Sequence, residues 1–238
     1  MSESGRKPDL SLLRALKRKA SGRGERILTS LMTATHKVAL NRLHLMQNKK
    51  RESRKLEIGP GPKPIADFEV LNIIWTPGTD YVMHATERMP FSDGSFEIIY
   101  ASHVLEHIPW YQVEGALREW NRILKPGGQL EIWVPNGYLV AKSLVEAEEK
   151  GNVDFYKDGW WKFNEGRDPA VWANGRFFSY GDGKGTAGHF NWHLGMFTER
   201  YLKTLLESGG FSETRRMSND EVRGHDHGWI NLGVAGIK

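Results

Sequence analysis

A chain of 238 residues is long enough to bury one α/β domain with an appendage, and 39% hydrophobic content suits a globular protein. It contains no cysteine, which excludes a disulfide framework, a thiolate nucleophile and a thiolate metal site. The formal net charge of +4 hides a division: residues 1–55 hold 15 Lys or Arg against 4 Asp or Glu, and residues 56–238 hold 18 against 25.

The basic part reads as two helical stretches broken by Ser21, Gly22, Arg23 and Gly24. Leu10, Leu13 and Leu16 form a narrow apolar stripe in the first, and Ile27, Leu31, Met32, Thr35, Val38, Ala39 and Leu43 recur at helical spacing in the second. Such an extension can engage a nucleic acid or an anionic membrane surface, or dock on its own domain. The charged run 49–55 (KKRESRK) links it to the domain over 56–238. The start at Met1 to Arg6 lacks an apolar signal core and no run approaches bilayer length, so the expected location is the cytoplasm.

From residue 56 short apolar runs alternate with amphipathic segments, the pattern of a parallel sheet flanked by helices. The predicted strands are 56–58, 70–74, 81–83, 96–100, 129–134, 212–217 and 230–237. The predicted helices are 111–124, stopped by Lys125-Pro126-Gly127-Gly128, and 198–208, opened by Thr198 and closed by Gly209-Gly210. Between strand 129–134 and helix 198–208 lies a stretch rich in aromatics and glycine, at about 138–195, too long for an ordinary connection and read as an insertion or lid. Its aromatic residues, among them Trp160, Trp161, Trp172, Phe177 and Phe178, suit a sugar ring, an apolar substrate or a satellite core equally well.

The sharpest local signal is Leu56-Glu57-Ile58-Gly59-Pro60-Gly61, a strand running into a Gly-x-Gly turn that lets backbone pass close to a ligand. MPFSDGSFEIIYASHVLEHIP follows at 89–109 and REWNRILKPGGQLEIWVPN at 118–136. In their order and spacing these segments resemble the class I S-adenosylmethionine-dependent methyltransferase family, of the type 11-like kind, and FTERYLKTLLESGGF at 197–211 extends the likeness. The resemblance implies a Rossmann-like, seven-stranded, mostly parallel sheet with helices on both faces, here behind an N-terminal helical extension. It implies S-adenosyl-L-methionine as cofactor, bordered by Glu57, Gly59, Pro60 and Gly61, with Asn72 at the ribose, His84, Ala85 and Met89 at the adenine, and Ser102 and His103 beside the sulfonium. Lys63 stands where the family commonly has a third glycine, Asn72 where it has a ribose-gripping acid, and His84 where an Asp is frequent.

Methyl transfer from a sulfonium needs alignment, and a base only where the acceptor must lose a proton. The candidate catalytic residues are His103, His107 and His189, with His193 and the carboxylate of Glu106 as further options. No metal is assigned: His189 and His193 lie four apart, but Gly188 and Gly195 flank them and no Glu follows the first in the metalloprotease manner. His225-Asp226-His227 reads as a polar loop. The expected acceptor is a small molecule, a sugar or a cell-surface glycan precursor methylated on oxygen. The alternatives are an RNA methyltransferase gripping RNA with the basic extension, and a binding module that keeps the fold without catalysis.

Overall fold

The computed structural model describes residues 23–61, 63–151 and 162–238. The helical stripe read at Leu10 to Leu16 and the residues Trp160 and Trp161 lie outside the described residues. Seven strands form one sheet: β1 (Lys55–Ile58), β2 (Glu69–Asn72), β3 (Tyr81–Val82), β4 (Phe96–Ser102), β5 (Leu124–Pro135), β6 (Ser212–Met217) and β7 (Asn231–Ile237), in the order β3-β2-β1-β4-β5-β7-β6. β1 to β5 pair in parallel, and β7 runs antiparallel to both β5 and β6. The chain winds outward from β1 to β3 and then returns to place β4 on the other side of β1. That reversal opens a crevice beyond the carboxyl ends of β1 and β4, where open α/β sheets take their ligands.

Side chains alternate across the sheet. Leu56, Ile58, Ile99, Ala101, Leu130, Ile132, Leu232 and Val234 face the main core. Against them pack α3 (Val113–Ile123), through Val113, Ala116, Leu117, Trp120 and Ile123 at helical spacing, and α6 (Glu199–Ser208), through Leu202, Leu205 and Leu206. Tyr100, Trp133, Met217 and Ala235 face the other way and are covered by Phe68, Ile65 and Val222. Pro60 and Pro64 in the short link from β1 to β2 leave no room for a long helix there.

The α3 helix ends at Ile123, one residue before the expected stop, because Leu124 is already extended and pairs with Phe96. β5 therefore starts before the Lys-Pro-Gly-Gly turn and carries it as an irregularity, with Gly127 N and Gly128 O tied to Lys238. The predicted insertion contains two further helices. α4 (Gly137–Lys150) is capped by Asn136 and closed by Gly151 at φ +64, and α5 (Pro169–Phe178) is capped by Asp168 ahead of Pro169. Together with Ile230 they bury Val140, Trp172 and Ala173 in a satellite core. Trp172 thus packs as structure, whereas Phe177 and Phe178 lie on a cleft described below.

Ahead of β1, α1 (Arg23–Thr35) continues through a π turn (His36–Leu40) into α2 (Asn41–Asn48). This extension docks on its own domain, by a largely polar face. Thr33 Oγ1 accepts from Trp75 N (2.9 Å), His36 is buried near Trp75, His44 Nδ1 meets Asp80 O (2.6 Å), and Asn48 donates to the Tyr81 hydroxyl (2.9 Å). Asn41 bonds Val82 twice, donating to its carbonyl (3.0 Å) and accepting from its N–H (2.9 Å). Ile27, Leu31 and Val38, read as the apolar stripe, face solvent instead. The polar contacts to β3 and its loop set the rotation of the helix and override its apolar spacing. At the junction with β1, Arg54 grips the fully buried Glu69 with two 2.8 Å bonds, and Tyr81 donates to the same carboxylate (2.6 Å). No helix among the described residues is long and apolar enough to cross a membrane.

Candidate active site

The crevice beyond β1 and β4 is a cleft of about 290 Å³. Its floor is Gly59 and Pro60, which leave β1. Gly59 has φ +67, its N–H donates to Leu71 O (2.9 Å), and a Cβ there would collide with Val104 Cγ2. Asn72, Ile73 and Ile74 at the end of β2 form one wall, with Met83, His84 and Ala85 following β3. The Asn72 side-chain Oδ1 accepts from Ile73 N (2.9 Å), so the side chain is braced against its own turn. The Ala85 carbonyl is held by Trp120 Nε1 (3.0 Å), which anchors this loop to α3.

At the exit of β4 His103 sits in a left-handed conformation, φ +53, with its N–H on Trp133 O (2.8 Å). Nδ1 lies 3.1 Å from Glu106 Oε1, and Nε2 lies 3.0 Å from Asn231 Oδ1. Asn231 Nδ2 donates to Asp226 (2.7 Å), which fixes the amide so that its oxygen faces the histidine. Both ring nitrogens therefore act as donors, the state of an imidazolium. Burial opposes that charge, but the Glu106 carboxylate and Asn231 outweigh it and raise the His103 pKa. Burial alone would raise that of Glu106; contact with His103 and the nearby His107 and His193 instead bring it down to about 2. The ring of His227 covers that of His103 at 3.7 Å between centroids.

The strap that follows the insertion is stitched onto the same turn, because Leu194 N and Gly195 N both donate to Glu106 O (2.6 and 3.1 Å). This brings His193 beside His107, with ring centroids 5.0 Å apart. His107 Nδ1 rests on Trp192 O and His193 Nδ1 on Arg176 O, each at 3.2 Å. A ring nitrogen facing a carbonyl carries the proton, so the neutral form of each ring has its lone pair on Nε2. Burial lowers the pKa of His193 and keeps it neutral. His107 lines the first cleft, whereas His193 lines a second one of about 860 Å³, walled by Trp110, Phe177, Phe178, Met196 and Tyr201.

The fold thus gathers Gly59, Pro60, Asn72, His84, Ala85, His103 and His107 around one cleft. The other sequence candidates lie elsewhere. Glu57 is buried and accepts from Ile65 N (2.8 Å), bracing the loop after β1. Gly61 approaches His225, and Ser102 engages the Tyr100 hydroxyl. Met89 belongs to the main core, its N–H held by Glu119 (2.7 Å), and Met83 takes the lining position. His189 stacks on Phe190, which lines the first cleft, but itself lines neither cleft. Asp226, in the stretch that reads as a polar loop, and Asn231 carry no local sign of a place in the site. Only their fold-back through β7 reveals them, since Asn231 is 128 positions from the histidine it orients.

A profile of the methyltransferase-domain family matches residues 56–132, the stretch that forms β1 to β5 and the floor of this cleft. Those residues carry a methyltransferase domain. Among curated proteins, the chain is 50% identical over 44 residues to an uncharacterised protein of Escherichia coli, a match covering 18% of this chain and 20% of that one. It is 29% identical over 102 residues to a sterol 4-C-methyltransferase of Caenorhabditis elegans, covering 42% and 27% respectively. The matches thus span about a quarter or less of the length of these relatives. A solved methyltransferase from Archaeoglobus fulgidus overlaps 97% of this chain and 100% of its own at 15% identity, with a TM-score of 0.45. The family's cofactor is S-adenosylmethionine, and the residues present fit such a ligand: at Gly59 the cleft floor is bare backbone that any side chain would block.

Proposed function

We propose that this protein is an enzyme that transfers the methyl group of S-adenosylmethionine to a hydroxyl oxygen of a small molecule, a sugar or cell-surface glycan precursor being the preferred class. One observation carries the reading: the cleft floored by Gly59 and an aromatic cleft meet at a wall made by His107 and His193, whose Nδ1 atoms are on backbone carbonyls and whose Nε2 atoms are unclaimed by the backbone of the described residues. The cofactor, when bound, supplies an electrophilic methyl carbon on a sulfonium. The backbone of Gly59 and Pro60 would hold its amino-acid end, Asn72 its ribose, and the His84–Ala85 backbone with Met83 its base. Trp110, Phe177, Phe178 and Tyr201 match the C–H face of a sugar ring or an apolar carrier attached to it.

The wall then receives the acceptor hydroxyl and prepares it to lose its proton, directly on the two Nε2 atoms or through an ion that they hold. His103 does not take that proton, since both its nitrogens are already donating; it positions Glu106. The test is release of S-adenosylhomocysteine by the purified protein on a panel of nucleotide-sugar and lipid-linked sugar acceptors. Turnover that falls at least about a hundredfold in His107→Ala supports the reading, and inactivity across the panel with cofactor bound overturns the acceptor class.

A further inference from the structure

We infer that Glu106, His107 and His193 form a binding site for one divalent transition-metal ion at the junction of the two clefts. One ligand-capable atom from each of the three lies within 4.8 Å of the others. Donors about 2.1 Å from a common ion are roughly 3.4 Å apart in tetrahedral geometry, so rotamer adjustment of about an ångström closes the site. Three further observations point to an ion. Glu106 is 1% exposed, its Oε1 faces His103 and its Oε2 accepts no hydrogen bond from any of the described residues, an expensive state for a buried carboxylate. Both imidazoles present Nδ1 to a carbonyl, the support that orients a ligating histidine and directs its Nε2 lone pair to a metal. Behind the carboxylate, His103, Asn231 and Asp226 form a chain of supports of the kind that surrounds metal ligands.

Two imidazoles and one carboxylate suit zinc, manganese, iron(II) or cobalt, and leave a coordination position open between the clefts. The ion's role, unlike its binding, rests on the methyl-transfer reading. An acceptor hydroxyl on the open position is acidified and gives its proton to water. The oxygen then forms a bond to the methyl carbon while the electrons of the C–S bond pass to sulfur, releasing S-adenosylhomocysteine.

The experiment titrates chelator-stripped full-length protein with Zn²⁺ by calorimetry and with Co²⁺ by visible absorption. One ion per chain is expected, with affinity at least about tenfold weaker in His193→Ala and in Glu106→Gln, and unchanged in His189→Ala. Thermal unfolding of each variant shows that it is folded, and His193→Ala, on the strap, keeps the test open if Glu106→Gln fails to fold. Absence of saturable binding, or equal binding by wild type and His193→Ala, overturns the site. An ion bound here without methyl transfer to any acceptor leaves the site standing and removes the reaction. Undiminished transfer by metal-free protein removes the ion's catalytic role.

Discussion

Replacing Gly59 by alanine probes the cleft floor with a single carbon atom. At φ +67 an L side chain costs about 1–2 kcal/mol. The new Cβ also strikes Val104, a β-branched side chain stiff at χ1, and overpacking of this kind costs about 1–3 kcal/mol. The expected loss is therefore about 2–5 kcal/mol, read as a shift in the denaturant midpoint. Val104 also lines the cofactor cleft, so its displacement intrudes on the ligand, and S-adenosylhomocysteine should bind at least about tenfold more weakly by calorimetry, about 1.4 kcal/mol. In the double variant Gly59→Ala/Val104→Ala the collision disappears but the backbone penalty persists, so binding should recover in part and stability should not return fully. If Gly59→Ala loses less than about 1 kcal/mol and binds the ligand like wild type, the floor of the cleft has been assigned to the wrong turn.

Arg54→Met strands a buried carboxylate between β2 and the extension and should cost about 3–5 kcal/mol in urea unfolding, most of it recovered by adding Glu69→Leu; a loss below about 1 kcal/mol would contradict the burial. Glu221, held by Arg215 and Ser218 N, has its pKa lowered to about 2, so its contribution is present above the ordinary value of 4.5 and lost as pH falls from there toward 2. Because this pair is partly exposed, Glu221→Gln should lose no more than about 1 kcal/mol at pH 7, and the difference from wild type should vanish near pH 2 in paired denaturation curves. Thr198→Ala removes the side-chain cap on Tyr201 N and should cost about 1 kcal/mol, measured by thermal unfolding.

The sheet was legible because its strands are short apolar runs punctuated by glycine and proline, and the Gly59 turn was legible because a strand runs straight into it. The helices within 137–178 were obscured by the aromatic and glycine content around them, although Asn136 and Asp168 are ordinary caps. The apolar stripe of the extension misled, because hydrogen bonds from Asn41, His44 and Asn48 decide which face docks, and periodicity carries no record of them. Within the site, His103, Glu106 and His107 share one local string. Their meeting with His193 and Asn231 depends on the strap on Glu106 O and on β7 lying beside β5. Pairings of that length are tertiary facts, and no local pattern encodes them.

Asn41 offers β3 one acceptor and one donor at the spacing a neighbouring strand would use. A side-chain amide thereby occupies the rim of the sheet where another chain could add itself. Trimming the protein just ahead of Arg54, which leaves its grip on Glu69 intact, would strip that guard and leave Val82 open to strand addition, so the shortened form should self-associate at lower concentration than the full chain. On this view the basic helices keep copies of the molecule apart, whatever else they touch.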